Sequence, residues 1–539
     1  MLPVIDIFAG PGGLGEGFAQ AGARILLSAE MDPIACQTLT LRKFFHNFPR
    51  NNVPELYYKF IRGEISIDCL SDTFALEWQA ATEAVANVEL GTDDGNSEFY
   101  RKLDSLTDVN NDFILIGGPP CQAYSLAGRS RLLGTGKMAN QMSVAAQKVT
   151  QQRLAETFYR DKRHTLYLEY LKLLCRYQPT IFVLENVKGM TSAKSGLNKA
   201  SGSIFANITE GLRNPYEATK FETRAGQVPL GYKLYSLLDS QSNDLLTEEL
   251  QTPADSIVKA EEYGVPQARH RIIIVGVRSD KEYRPTPLNK SNHRISIKDA
   301  IFKLPKLRSG LSKEKDSAQN WKSSIVQQAS DVLLNATTFD DRIRKNLKSI
   351  EELDPLLTRG SKFIAADNQN VAMVSEQLNK LILDTRLGGT IQHETRSHIK
   401  SDLLRYFFCA VFGEEYGRSP KLTDWQGHLN KLRPSHSNVS LEGDQLLTTT
   451  HNDRFKVQLW DTPSSTIVSH ISKDGHYFIH PDPVQCRSLT VREAARLQTF
   501  PDNYFFCGGR TKQYQQVGNA VPVLLALQIA ETLKEMRLG

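Results

Sequence analysis

Short apolar runs alternate with amphipathic stretches along the first 280 residues. Those with the length and composition of buried strands are Val4 to Phe8, Arg24 to Ala29, Phe113 to Ile116, Thr180 to Leu184 and Arg271 to Val277. Leu166 to Tyr177 has apolar residues at helical spacing, and Pro179 follows it as a stop signal. Because strands alternate with helices, the pattern predicts an α/β fold with a mostly parallel, doubly wound, Rossmann-like sheet.

The pattern changes after about residue 280. Residues 281–330 contain eleven Lys and Arg against four Asp and Glu, and helical stretches at 375–387 and 400–412 are mixed with loops. Further helices are expected at 491–497 and 521–533. A domain interrupted by a long mixed α/β insertion accounts for this layout. The expected parts are a first domain at 1–280, an insertion at 281–484 and a returning segment at 485–539.

The composition indicates a globular protein from a reducing compartment, but it does not indicate which reaction the protein catalyses. A chain of 539 residues with 40% hydrophobic and 23% charged residues is typical of a globular protein with a large core. The seven cysteines are scattered, which argues against a disulfide framework or a structural zinc and favours a reducing compartment. No apolar run is long enough for a bilayer, and Met1 leads almost directly into a strand. We therefore expect a cytoplasmic protein without a signal peptide, membrane association or metal.

A glycine-rich turn follows the first predicted strand and opens a helix. It reads Asp6-Ile7-Phe8-Ala9-Gly10-Pro11-Gly12-Gly13. Glycines permit close approach of the backbone to a ligand, and the helix start offers free N–H groups. Glu30, at the end of the second strand, is placed to accept hydrogen bonds from ribose hydroxyls. This motif fits a nicotinamide cofactor and S-adenosylmethionine equally well.

Cys121 stands in a distinctive loop, Gly117-Gly118-Pro119-Pro120-Cys121, directly after a predicted strand. Two prolines stiffen the backbone and fix the direction of the next side chain. An arbitrary cysteine is more often a small buried apolar residue, but this setting favours a nucleophile that needs activation to the thiolate. Residues 121–155 contain no Asp or Glu and five Lys or Arg, which suits a phosphate backbone.

Six segments, taken together, resemble the DNA (cytosine-5)-methyltransferase family. DIFAGPGG resembles its cofactor loop, GGPPCQAYS its nucleophile loop and Glu185-Asn186-Val187 its acid motif. Gln267-Ala268-Arg269-His270-Arg271 resembles its Q-x-R-x-R motif. The segment from Arg487 to Asp502 and Gln516 to Pro522 resemble the last two motifs. They stand in the family's order and cover roughly residues 1–280 and 485–539.

The resemblance implies a reaction on cytosine with S-adenosylmethionine as methyl donor. Cys121 is then the covalent nucleophile and Glu185 the acid at the ring nitrogen N3. Supporting catalytic roles fall to Asn186, Gln267, Arg269 and Arg271. The implied cofactor residues are Asp6, Phe8, Gly10, Gly12, Gly13, Glu30, Met31, Pro120, Leu166 and Asn519, with Glu64 and Ile65 placed at the end of the third strand.

The resemblance also implies double-stranded DNA as the partner, with the target cytosine turned out of the helix. The insertion then occupies the place of a target-recognition domain, and Ser465-Thr466-Ile467 matches the signature near that domain's end. The expected DNA-binding residues are Gln122, Ser125, Arg129, Arg131, Thr466, Ser469, His470 and Lys473. The loop at 469–475 has an ordinary hairpin loop as its alternative.

The wider context is expected by analogy with prokaryotic members of the family. A role in restriction–modification or phage defence, a cognate nuclease partner, a nucleoid location and action as a monomer on DNA belong to this expectation. The alternatives are a tRNA cytosine methyltransferase, a nicotinamide oxidoreductase and an inactive DNA-binding protein. The basic insertion favours duplex DNA, and the complete catalytic set argues against an inactive protein.

Overall fold

An eight-stranded sheet forms the centre of the N-terminal half in the computed structural model. Its strands are β1 (Val4–Ile7), β2 (Ile25–Glu30), β3 (Val85–Asn87), β4 (Ile114–Gly117), β5 (Ile181–Val187), β6 (Tyr232–Tyr235), β7 (Ile257–Lys259) and, beyond the short β8 (Gln267–Ala268), β9 (His270–Arg278). The order is β3-β2-β1-β4-β5-β9-β6, with β7 also paired to β9. Only β9 runs against the others within this sheet, so the predicted mostly parallel α/β architecture is confirmed.

The structure describes most of the chain. The described residues are 1–106, 112–119, 162–192, 204–224, 226–238, 249–332, 350–351, 353–366, 373, 375–425, 431–433, 441–442, 445–446 and 454–538. The α-helices in these ranges are Gly13–Gln20, Pro33–His46, Glu55–Arg62, Ile67–Thr73, Ala75–Glu83, Asp93–Asp104, Lys162–Tyr177, Ile204–Arg213, Pro215–Thr219, Ile297–Ile301, Ala318–Val332, Glu376–Ile382, Lys400–Tyr416, Val491–Leu497, Arg510–Asn519 and Val523–Lys534.

Short strands accompany the later helices. They are β10 (Tyr283–Arg284), β11 (Gly310–Leu311), β12 (Gly360–Ala365), β13 (Gly389–Glu394), β14 (Ser397–His398), β15 (Leu441–Glu442), β16 (Gln445–Leu446), β17 (Ser464–Ser465) and β18 (Arg537–Leu538). In the parts of the chain that the structure describes, no helix combines the length and the apolarity needed to cross a bilayer.

The last helix packs on the first one. Gly17 of the helix Gly13–Gln20 meets the backbone of the final helix so closely that a Cβ atom there would lie 2.4 Å from the Cβ of Ala526. Leu525 and Ile529 share one apolar core with Val4 and Phe18. Burial of these side chains joins the C-terminal segment to the first strand and its helix.

Side chains of the insertion belong to more than one apolar core. Trp321, Phe407 and Trp425 belong to a core whose members all lie between residues 311 and 486. Ile297, Ile471 and other residues instead join the core of the N-terminal sheet. The part of the chain around 281–484 is therefore anchored to the sheet at both of its ends.

One predicted helix is divided. The sequence predicts a single helix over 375–387, but the structure has Glu376–Ile382 followed by a separate 3-10 turn at Thr385–Leu387. The carboxylate of Asp384 accepts the N–H of Arg386 and the hydroxyl of Tyr58. These contacts hold Leu383 and Asp384 extended, which interrupts the helix.

Candidate active site

The acid motif and the Q-x-R-x-R motif meet at one edge of the sheet. Glu185 and Asn186 lie at the carboxyl end of β5, beside Gly117 at the end of β4. Because β9 is antiparallel to β5, its amino end reaches the same edge, and Arg271 pairs with Val187. Open α/β sheets bind ligands at this carboxyl edge.

Glu185 forms an ion pair with Arg271. The Arg271 Nε lies 2.8 Å from Glu185 Oε1, and the two side chains are 11% and 14% exposed. The Arg271 Nη1 donates to the carbonyl of the preceding His270, which limits the directions open to the guanidinium. Burial lowers the pKa of Arg271, and the neighbouring carboxylate opposes that shift. The pair fixes a carboxylate at the sheet edge at a partly buried position.

Arg269 contacts the insertion. Its Nη1 donates to the carbonyl oxygen of Ile467 at 2.8 Å, and its side chain is buried. Burial, followed by repulsion from Arg271, holds the pKa of Arg269 well below its ordinary value. Arg269 is thus a buried cation that is hydrogen-bonded to the backbone just after β17.

Two residues tie the proline loop to the acid. The Asn186 amide donates to the carbonyl of Pro119 at 3.3 Å, and its oxygen accepts the N–H of Val187. A Cβ atom on Gly118 would lie 2.7 Å from Glu185 Oε2, so a larger residue here would displace the Glu185 carboxylate. The segment that leads into Cys121 is thus in direct contact with Glu185 and Asn186. Pro120, Cys121, Gln122, Ser125, Arg129 and Arg131 lie outside the described residues.

Gln267 joins three parts of the chain. Its oxygen accepts the N–H of Ile467 at 2.8 Å, while its amide donates to the carbonyl of Leu497 and to the side chain of Gln498. Parallel pairing of β8 with β17 adds further backbone contacts between the same segments. Gln267 is fully buried, so if its partners were lost, its polar atoms would be left without hydrogen bonds to protein or water. Its contacts are structural ones to the insertion and the C-terminal segment.

The glycine-rich turn has the backbone that the sequence predicts. Gly10 and Gly12 have φ values of 57° and 93°, and Phe8 adopts a φ of 55° despite its side chain. A Cβ atom on Gly13 would lie 2.4 Å from the carbonyl oxygen of Val521. The loop therefore touches the segment that follows Asn519, an exposed residue at the end of its helix.

Glu30 organises the neighbouring strand end. Its two carboxylate oxygens accept the N–H groups of Gly10 and Asp32, each at 2.9 Å. Each oxygen keeps a further lone pair, which suits hydroxyl donors of a ribose. Met31 beside it is 59% exposed, and Phe8 is half-buried. An acceptor pair flanked by accessible apolar side chains fits a nucleoside cofactor.

Asn87 supports the backbone at Glu30 and Met31, and the sequence analysis did not predict this role. It ends β3, and its amide donates to the carbonyls of Glu30 and Met31, each at 3.1 Å. These bonds set the backbone of the two residues that flank the expected ribose site. Only the pairing of β3 with β2 reveals this role, because Asn87 is distant from Glu30 in the sequence.

The prediction that Glu64 and Ile65 lie at the end of the third strand is wrong. The third strand of the sheet is Val85–Asn87, whereas Glu64 follows the helix Glu55–Arg62. The Glu64 carboxylate is bound to Arg62, which holds the pKa of Glu64 below its ordinary value. The acidic residue that follows the third strand is Glu89, which is exposed.

Asp6 lies beneath the glycine-rich turn. It is 1% exposed, and a Cβ atom on Gly15 would lie 2.7 Å from its Oδ2. Burial raises the pKa of Asp6 to about 7. The carboxylate borders a small cavity of about 30 Å³ that Lys43 and Tyr504 also line. Asp6 therefore supports the turn from the side of the sheet.

Leu166, another predicted cofactor residue, is half-buried near the start of its helix.

The expected DNA-binding residues of the insertion differ in accessibility. His470 and Lys473 are exposed, and Ser469 is half-buried. The hydroxyl of Thr466 donates to the carbonyl of Ala268 at 2.7 Å, so this residue also links the insertion to β8. The loop that carries His470 and Lys473 lies beside the helix Arg510–Asn519, which ends at the predicted cofactor residue Asn519.

Known proteins match this chain over nearly its whole length. The type II methyltransferase M.Bpa9945I of Bacillus paralicheniformis is 28% identical over 553 residues, with 99% of this chain and 98% of the relative covered. The type II methyltransferase M.AgeI of Thalassovita gelatinovora is 24% identical over 547 residues, with 99% of each covered. A crystal structure of a candidate DNA modification methyltransferase from an E. coli prophage has a TM-score of 0.42 at 18% identity, with 99% of both chains covered.

A family model agrees with these relatives. The model for C-5 cytosine-specific DNA methylases matches residues 2–74, 96–214 and 252–535. These ranges include the glycine-rich turn, Cys121, Glu185, Arg271 and Asn519. The chain belongs to the C-5 cytosine-specific DNA methylase family and is a DNA (cytosine-5)-methyltransferase.

Proposed function

We propose that the protein transfers a methyl group from S-adenosylmethionine to C5 of a cytosine in duplex DNA, with Cys121 as nucleophile and Glu185 as acid. The observation that carries this proposal is the position of Glu185. Its carboxylate is paired with Arg271 at 2.8 Å and lies against Gly118, three residues before Cys121 in the sequence.

The chemistry requires both side chains together. The Cys121 thiolate forms a bond to C6 of the cytosine while Glu185 holds a proton at N3, and the ring electrons move to C5. Bound S-adenosylmethionine supplies an electrophilic methyl group for C5. Loss of the C5 proton to a base then expels Cys121 from C6 and restores the aromatic ring. Arg271 keeps Glu185 at the carboxyl edge throughout, which limits the reorganisation that the reaction requires.

We propose that the cofactor binds at the carboxyl ends of β1, β2 and β3. Gly10, Gly12 and Gly13 bring the backbone close to the cofactor, and Glu30 accepts hydrogen bonds from its ribose. Phe8 and Met31 offer apolar contact to the adenine. Pro120, Leu166 and Asn519 complete the proposed pocket, and we place Glu89 where the sequence suggested Glu64 and Ile65.

The DNA partner is proposed for the insertion and for the basic segment after Cys121. A cytosine in a duplex reaches Cys121 only after leaving the stack, which costs a few kcal/mol. Phosphate contacts offset this cost, and residues 281–330 carry a net charge of +7 for the purpose. We propose Gln122, Ser125, Arg129, Arg131, Thr466, Ser469, His470 and Lys473 as DNA-binding residues.

The domain organisation follows from these roles. We propose that 1–280 and 485–539 form the catalytic domain and that 281–484 forms the target-recognition domain. Two type II methyltransferases match over almost their full length, which supports a role in restriction–modification beside a cognate nuclease. The DNA family model favours this function over the tRNA methyltransferase alternative.

Expression in a host without cytosine methylation tests the proposal. The wild type and Cys121→Ser are expressed to equal levels, and 5-methylcytosine is mapped across the host genome and its tRNA. The expected result is methylation of DNA at one short motif with the wild type and none with the variant. Methylation confined to tRNA, or no methylation by a folded wild type, contradicts the proposed function.

A further inference from the structure

A short loop after β17 presents two cationic or polar side chains at the surface. The backbone at Ser469–Ser472 forms a 3-10 turn in which Ile471 is fully buried. His470 and Lys473 on the same loop are exposed. Asp474, which follows, accepts the N–H of His476 through its carboxylate, so part of its hydrogen-bonding capacity is used within the loop. The buried side chain of Ile471 thus lies between the exposed side chains of His470 and Lys473.

Arg396 from the insertion closes the end of this turn. Its Nη2 donates to the carbonyl of Ile471 at 2.7 Å, and its Nη1 donates to the carbonyl of Lys473 at 2.9 Å. The last carbonyls of a helical turn have no partner within the turn itself. A planar guanidinium supplies two fixed donors at once, so it sets the spacing between the two carbonyls.

The guanidinium of Arg396 is itself held in place. It is 8% exposed, and its central carbon lies 4.4 Å from the centre of the Tyr514 ring. The Tyr514 hydroxyl donates to the carbonyl of Leu489 at 2.6 Å, which fixes the ring. Among the described residues, no carboxylate lies within ion-pair distance of Arg396. In the described part of the chain, the guanidinium is met by the Tyr514 ring face and by the two loop carbonyls.

The opposite side of the loop rests on the helix Arg510–Asn519. A Cβ atom on Gly518 would lie 2.3 Å from the backbone nitrogen of Ser469, so the helix backbone touches the loop directly. Tyr514 and Gly518 are four residues apart and lie on the same side of the helix. One helix thereby supports both Arg396 and the loop that Arg396 holds.

We infer that Arg396 is a positioning residue for DNA recognition, which fixes the loop 469–474 so that His470 and Lys473 meet the DNA without prior ordering. A mobile loop would lose conformational entropy on binding, and a preformed loop avoids that loss. The inference rests on the proposed function, because it assigns DNA as the ligand of this loop. Arg396 acts through the loop backbone and has no part in the chemical step.

The test compares Arg396→Met and Arg396→Lys with a matched control, Arg405→Met. Arg405 lies in the same insertion and is also 8% exposed. It donates to the backbone carbonyls of Leu432 and Arg433 and to the carboxylate of Asp402, and not to the loop. For each protein, KM for target duplex, kcat, the Kd of S-adenosylhomocysteine and the Tm are measured. The control reports the effect of losing a buried arginine as such.

The expected result is a KM for DNA raised about tenfold or more in Arg396→Met, with kcat and cofactor Kd within about twofold of the wild type. Arg396→Lys recovers part of the affinity, because an ammonium can still donate to the carbonyls. Arg405→Met leaves KM near the wild-type value. An unchanged KM in a folded Arg396 variant, or equal losses in the Arg396 and Arg405 variants, overturns the inference. A wild type that does not methylate DNA overturns the proposed function instead.

Discussion

The Nε of Arg271 lies 2.8 Å from Oε1 of Glu185, across two neighbouring strands that run in opposite directions. This antiparallel pairing brings the start of β9 to the edge where β5 ends. An acid and the cation that fixes it are therefore supplied by segments more than 80 residues apart in the sequence.

Removal of the Arg271 charge is expected to impair catalysis more than binding. Arg271→Met frees the Glu185 carboxylate, so kcat should fall on the order of 100-fold. KM for DNA and the Kd of the cofactor should change by less than about threefold, because neither ligand loses its own contacts. Steady-state kinetics measures the three quantities. A variant with wild-type kcat would show that Arg271 does not hold the acid.

Gly118 is expected to be required for the position of the acid. Gly118→Ala places a Cβ atom 2.7 Å from Glu185 Oε2, and the carboxylate must move to avoid it. The predicted result is a fall of about tenfold or more in kcat with little change in Tm. Gly509→Ala is the control, since a Cβ atom there meets nothing within 4 Å and the φ of −73° suits alanine. Equal kcat in both variants contradicts the prediction.

The corrected end of the third strand gives a test of the cofactor site. Glu89→Gln should weaken binding of S-adenosylhomocysteine by about tenfold, the usual effect of losing a hydrogen bond to a charged group. Glu64→Gln should leave the Kd unchanged, because that carboxylate is bound to Arg62 on a separate helix. Isothermal titration calorimetry measures both. The reverse pattern would restore the assignment to Glu64.

His393 is expected to make the fold sensitive to acid. It is fully buried, with its ring nitrogens bonded to Thr490 Oγ1 and the carbonyl of Pro305. Burial lowers the pKa of His393 from 6.5 to about 4, against the attraction of the nearby Glu493. Between these values the unfolded chain binds a proton that the folded chain does not, so stability falls as the pH falls. The expected loss is on the order of 3 kcal/mol.

Denaturant unfolding of the wild type and His393→Gln, at pH values of about 7, 5.5 and 4.5, measures this effect. Glutamine keeps a donor and an acceptor but does not titrate. The variant should be less stable at neutral pH and should lose less stability on acidification. Identical pH dependence in the two proteins would assign the acid sensitivity to other groups, such as the buried His398 and His480.

The sequence predicts the strand ends of this fold because their signals are local. Apolar runs followed by glycine, proline or an acid identify the ends of β1, β4 and β5, and parallel strands place them at one edge. The positions of Glu30, Gly117 and Glu185 at strand ends are therefore predictable from the sequence. The family resemblance adds the order of the motifs.

The sequence fails where a role depends on distant pairing. Gly63-Glu64-Ile65 resembles a strand end, but the helix before it and the two helices after it place the third strand at Val85–Asn87. Asn87 and Arg396 donate hydrogen bonds to carbonyls of residues far away in the sequence. The contact of Arg269 with Ile467 is equally invisible without the pairing of β8 and β17.

Trapping a covalent bond between Cys121 and the target base tests the proposed reaction most directly. The purified enzyme, with S-adenosylmethionine, is incubated with a duplex in which the target cytosine carries fluorine at C5. Fluorine cannot leave as a cation, so the adduct at C6 persists after methyl transfer. The expected result is a denaturation-resistant complex whose peptide map places the DNA on Cys121. A wild type that methylates ordinary DNA but forms no adduct, or forms it on another residue, would show that Cys121 is not the nucleophile.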